Sequence, residues 1–78
     1  MYITRSGRHH PVTPRELEVL RLAGKGLSDR QIACRLNISH TTVKKHLGAV
    51  YRKWAVYSRL EAVLEGLKRG HLSLIECA

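Results

Sequence analysis

SHTTVKKHLGAVYRKW, Ser39 to Trp54, opens with a residue type that caps helices and continues with two faces of different character. At 100° per residue, Val43, Leu47, Val50 and Trp54 fall on one side of a helix. Thr41, Lys44, Lys45, Gly48 and Arg52 fall on the other, within a sector of about 100°. The stretch contains no acid. An apolar stripe of this kind buries against a core. A polar face that only meets water usually mixes both signs of charge. This one carries a single sign, so its partner is external and negative.

The residues just upstream define the arrangement. Ser28-Asp29-Arg30-Gln31 is a capping box, and a short helix is predicted over about 29–36, with Ile32, Ala33 and Leu36 inward. Asn37 and Ile38 leave room only for a tight turn, and the longer basic helix runs over about 40–54. A short helix, a tight turn and a basic helix form a helix-turn-helix. The second helix of such a unit fits the major groove of B-DNA, where lysines donate to guanine O6 and N7 or to phosphates. Threonine hydroxyls and unpaired N–H groups at its start suit phosphate.

The remaining chain encloses this unit. Thr13-Pro14-Arg15-Glu16 is a capping box with proline at the first helical position, and predicts a helix over about 14–24 with Val19, Leu20, Leu22 and Ala23 available to a core. Ser58-Arg59-Leu60-Glu61 repeats the pattern and opens a fourth helix, about 59–69, ending at Gly70. The fold class is all-α with four helices. Residues 1–12 show no period and are read as a flexible basic arm, whose Arg5 and Arg8 could meet phosphate, a minor groove or only water. Residues 13–70 are the domain. Residues 71–78 are a tail, either a frayed helix or an extended segment.

Bulk composition agrees. The chain has 78 residues, enough for one small domain with little room for an enclosed catalytic pocket. Lys and Arg number 14 against 6 Asp and Glu, giving +8 and a pI near 10.2. That balance points to a polyanion, nucleic acid before an anionic membrane surface. Arg30, Arg35, Lys44, Lys45, Arg52, Lys53 and Arg59 follow one another with no acid between them. There is no transmembrane run and no apolar core of a signal peptide. Cys34 and Cys77 make no disulfide framework, which fits a reduced intracellular setting. Cys34 is read as a small apolar packer in helix 2, and Cys77 as exposed. His9, His10, His40, His46 and His71 match no common ligand spacing, so neither a metal nor any other cofactor is expected. No nucleophile is paired with a base, so no enzyme activity is expected. A membrane-surface role would need an apolar face left exposed, and the apolar faces here suffice for a core.

Helix 4 is the exception. Leu60, Val63, Leu64 and Leu67 cover one side and Ala62 widens the apolar arc toward about 200°, beyond the ordinary stripe. Either a symmetric dimer buries the surplus, or the tail folds back over it with Leu72, Leu74 and Ile75. A two-fold dimer would set two recognition helices in successive major grooves and require a roughly palindromic site.

The run TPRELEVLRLAGKGLSDRQIACRLNISHTTVKKHLGAVYRKW, followed by SRLEAV, closely resembles the LuxR-type (GerE-type) helix-turn-helix domain. The resemblance covers roughly residues 12–70. Its elements stand in order: TPRE, G-L-S, I-A-x-x-L, I-S-x-x-T-V-K-x-H, Y-R-K, then S-R-x-E-A-V. It implies a bacterial, cytoplasmic, nucleoid-associated regulator of transcription that binds double-stranded DNA as a homodimer through helix 4. In that family the domain is often the C-terminal part of a larger regulator; this chain is similar to a stand-alone member of the GerE kind, or to an excised domain. Position by position, the resemblance implies base contacts from Lys44, Lys45 and Gly48. It places Thr13, Arg15, Ser39, Thr42 and Arg59 near phosphates, beside Thr41 and Arg52 of the basic face, and gives His46 a scaffold role. Three residues depart from the family pattern. Gly48 removes a possible base reader, Trp54 needs a larger space than the usual leucine, and Ala55 is strained if its position requires positive φ.

Two function classes stay open on these grounds. One is a sequence-specific DNA-binding regulator. The other is a helix-turn-helix that docks on RNA polymerase or another regulator and binds DNA weakly.

Overall fold

A computed structural model describes residues 11–73. The arm up to residue 10, with Arg5, Arg8, His9 and His10, and the tail residues Leu74, Ile75 and Cys77 lie outside the described residues. Four helices follow one another: α1 (Pro14–Gly24), α2 (Asp29–Leu36), α3 (His40–Trp54) and α4 (Arg59–Lys68). There is no strand among the described residues, and no helix among them is long and apolar enough to cross a membrane.

Local chemistry sets each boundary. The Thr13 hydroxyl accepts from the Glu16 N–H, and the Glu16 carboxylate accepts from the Thr13 N–H at 2.9 Å, with Pro14 at the first helical position. Ser28 and Gln31 form the same reciprocal pair at α2. Ser39 caps α3 by accepting from the Thr42 N–H at 3.0 Å. At α4 the expected box is only half formed. Ser58 accepts from the Glu61 N–H, but the Glu61 carboxylate reaches one residue further back, to the Tyr57 N–H at 2.9 Å.

Two helices end in left-handed backbone. Asn37 has φ 57° and Ala55 has φ 56°. Asparagine tolerates this conformation, whereas the alanine Cβ crowds its own carbonyl at a cost of about 1–2 kcal/mol. The strain expected at Ala55 is therefore present.

The core sits between α1, α2 and α3, with α4 closing it against α1 and α3. Val19, Leu20, Ile32, Val43 and Val50 are fully enclosed, and Leu22, Ala23, Ala33, Leu47, Trp54, Ala62 and Leu72 complete it. Ile38 packs from the turn. Cys34 does not join them; it is exposed, because α2 turns Ile32 and Ala33 inward and the next position faces out.

The inner face of α4 is made of its smallest residues, Ala62 and Gly66. A Cβ on Gly66 would lie 2.7 Å from Leu72 Cδ1 and 3.4 Å from Leu20 Cδ2. The glycine thus leaves space into which Leu72 inserts, and Leu72 is a buried core residue. The packed unit consequently runs past residue 70, where the tail was expected to begin. His71 stacks on Trp54 with ring centroids 5.8 Å apart, and the Arg69 guanidinium stands 4.9 Å over the same ring. The larger space needed by Trp54 is provided by this C-terminal turn.

Candidate nucleic-acid interface

Helix α3 holds its basic face outward because Val43, Leu47, Ala49, Val50 and Trp54 anchor the opposite side. Thr41, Lys44, Lys45 and Arg52 are exposed, and Gly48 is half-buried among them. Lys44, Lys45 and Arg52 have no acidic partner among the described residues. The other two bases of the acid-free segment from α3 onward do have partners. Lys53 Nζ donates to Glu16 Oε1 at 2.8 Å and to the Pro11 carbonyl at 3.1 Å. Arg59 donates to the Leu27 carbonyl at 2.7 Å and pairs with Asp29. Internal acids thus neutralise the cations that face the scaffold, and leave unpaired those on the outer face of α3.

The Glu16–Lys53 pair is not visible in the sequence, where Glu16 reads only as a cap. Glu16 is 8% exposed and accepts at one oxygen from both Thr13 N–H and Lys53. Burial pushes its carboxyl up, but the hydrogen bonds and charge of Lys53 and the Thr13 N–H outweigh this, and the net shift is downward. The pair ties the start of α1 to the end of α3. Thr13 and Arg15, expected near phosphate, therefore sit beside the C-terminal half of α3. Arg15 itself donates to Glu18 at 2.8 Å on an exposed surface.

The far end of α3 is fixed by Asp29. This carboxylate takes Arg59 from the first position of α4 and stands 3.9 Å from His40 Nε2 at the first position of α3. Three helix starts converge there. Arg59, expected beside a phosphate, is half-buried in this bridge. Tyr51 lies against it; burial raises its phenol above the ordinary value, opposed by Arg59. Ser39 Oγ and Thr42 Oγ1 are 2.8 Å apart at the exposed start of α3, so the hydroxyls expected near phosphate are adjacent. His46 is half-buried on the same helix.

On α4, Leu60 and Leu64 face outward at 68% and 54% exposure, whereas Val63 and Leu67 pack against the chain's own core. Tyr57, at 88% exposure, lies just before the cap of α4, outside the helix. Leu72 inserts beneath α4, on the side of Leu20, and leaves Leu60 and Leu64 uncovered.

The clefts between α1 and α2 are lined by Glu18, Arg21, Leu22, Lys25, Arg35 and Leu36, and by Gln31 and Cys34 nearby. They bring no nucleophile to a base. No cluster of three His, Cys, Asp or Glu side chains gathers among the described residues.

A helix-turn-helix whose second helix carries a one-signed outer face defines the class. Residues 10–65 match the family of bacterial regulatory proteins, luxR family, and the chain belongs to it. The solved transcription factor GerE is similar over 80% of this chain and 92% of its own, at 39% identity and a TM-score of 0.76. An HTH-type transcriptional regulator of Mycobacterium bovis is 46% identical over 59 residues, which are 76% of this chain. The transcriptional regulatory protein DegU of Brevibacillus brevis is 44% identical over 61 residues, 78% of this chain. The chain spans 7% and 26% of the lengths of these two relatives. The family is one of regulators, not enzymes.

Proposed function

We propose that this chain is a sequence-specific, dimeric, double-stranded DNA-binding regulator of transcription that works in the bacterial cytoplasm on the nucleoid. The observation that carries the reading is the sorting of cations. Lys53 and Arg59 are neutralised internally, while Lys44, Lys45 and Arg52 are exposed on α3 without a counter-charge. Helix α3 enters the major groove, with Lys44 and Lys45 reaching base edges and Gly48 lying against the groove. Ser39, Thr41, Thr42 and Arg52 line the adjacent strands, and Thr13, Arg15 and the outer edge of Arg59 flank the phosphate track.

The second copy docks along α4. Leu60 and Leu64, with Tyr57 just before the cap, form an exposed apolar stripe on a small, highly charged chain, and self-association is the simplest cover for it. Val63 and Leu67, half-buried at its border, contribute only at the rim. Two copies related by a two-fold axis place their α3 helices about 34 Å apart, one turn of the duplex.

Charge reversal of Lys44 and Lys45 tests the reading. The expected result is loss of duplex binding with an unchanged circular dichroism spectrum. Duplex binding that survives reversal, together with altered binding to RNA polymerase, would favour the docking module instead.

A further inference from the structure

Gly48 sits in the middle of the basic face of α3, between the directions of Lys44 and Lys45, where a long side chain would meet base edges. Nothing in the fold demands a glycine there. The backbone is ordinary helix, and a Cβ built on Gly48 would meet only Arg52 Nη1, at 3.5 Å, an ordinary van der Waals distance. The residue costs about 1 kcal/mol of helix stability relative to alanine. What the absent side chain does provide is a place for Arg52. Long helical side chains lean toward the N-terminus, and the Arg52 guanidinium accordingly lies back over Gly48, one turn before its own Cα. It is exposed, and no acid among the described residues holds it.

We propose that Arg52 is a specificity-determining residue. It reads a guanine in the major groove from the position left open at Gly48, so that each half-site is specified by Lys44, Lys45 and Arg52 together. The planar guanidinium presents paired donors in a rigid fork that matches guanine O6 and N7, whereas lysine offers one mobile ammonium that holds the same two acceptors less selectively. This inference rests on the DNA-binding reading above and changes one part of it, moving Arg52 from the strands to a base edge.

The test is binding-site selection from random duplex DNA with the wild-type chain, Arg52→Ala and Arg52→Lys, at reduced salt so that weakened variants still retain DNA. Thermal melting of each confirms the fold. The expected result is that Arg52→Ala loses its preference for G·C at one position of each half-site, by about 5- to 150-fold, with the other positions unchanged. Arg52→Lys restores overall affinity without restoring that preference. An enriched motif that is identical for wild type and Arg52→Ala, with affinity lowered evenly across sequences, would overturn the assignment and leave Arg52 a phosphate contact. A wild-type chain that enriches no motif would overturn the base-reading function itself, whatever Arg52 does.

Discussion

Lys53 Nζ lies 2.8 Å from Glu16 Oε1, at 17% and 10% side-chain exposure, and so joins the last turn of α3 to the first turn of α1. The lysine is one residue from Arg52 in sequence, yet it serves the scaffold while its neighbour faces out. Replacing Glu16 by Gln keeps an acceptor for the Thr13 N–H but leaves Lys53 without its counter-charge. The expected loss is about 2–3 kcal/mol, low in the range for buried pairs because both groups retain some water. The pair also predicts acid sensitivity. The folded carboxyl titrates below its ordinary value of 4.5, so the folded state binds fewer protons than the unfolded chain in that range. Its contribution is complete above 4.5 and is lost as pH falls through the lowered folded value. Urea unfolding at pH 7 and pH 3 should show a larger drop for the wild type than for Glu16→Gln. Equal drops would mean that another group governs the acid limb.

Ala55 carries the second prediction. Its left-handed backbone follows α3, where the chain must reverse before Ser58. Ala55→Gly removes the Cβ strain, partly offset by the greater freedom of glycine in the unfolded chain. The expected gain is about 1 kcal/mol, a rise in melting temperature of about 4–8 °C for a domain of this size. A lower melting temperature would show that the alanine methyl makes packing contacts worth more than the strain.

The helices were legible in the sequence because their signals are local. Thr13, Ser28, Ser39 and Ser58 each announce a start within four residues, and Ala55 could be flagged because it departs from the family pattern. The outward direction of Lys44, Lys45 and Arg52 followed from the apolar residues opposite them. What stayed hidden depends on residues far apart in the chain. Glu16 and Lys53 are 37 residues apart with α2 between them, and Asp29 and Arg59 are 30 apart with α3 between them. The inner face of α4 was also obscure, because Ala62 and Gly66 carry little apolar signal and the leucines beside them carry much. Close approach selects small residues on a buried face, so the loudest stripe, Leu60 and Leu64, turned out to be the exposed one. Cys34 was misplaced for a related reason: a small apolar residue fits either face of a short helix.

Leu72 provides the third prediction, on where the folded unit ends. It inserts against Leu20 and the bare Cα of Gly66, two residues past the turn at Gly70. Leu72→Ala should destabilise the chain by about 2–4 kcal/mol, as for other leucines truncated in a packed core. A chain ending at residue 70 should lose more, since it also lacks the His71 ring stacked on Trp54. Chemical unfolding of the three chains checks both statements. Equal stability for all three would place the boundary at residue 70 after all.

The fourth prediction separates folding from assembly on α4. Leu64 projects from the face opposite Ala62 and Gly66 and is 54% exposed, so Leu64→Asp should fold normally. In a dimer the same substitution buries two unpaired carboxylates across the two-fold axis, which is strongly unfavourable. Sedimentation should therefore shift from dimer to monomer with unchanged helicity. Binding to a palindromic site should weaken by far more than binding to a single half-site, because only the former draws on two linked recognition helices. Val63→Asp is the contrasting variant. Val63 packs against the chain's own core, so that substitution should lower the melting temperature of the monomer itself. If Leu64→Asp leaves the sedimentation profile unchanged, the exposed stripe on α4 does not hold a second copy.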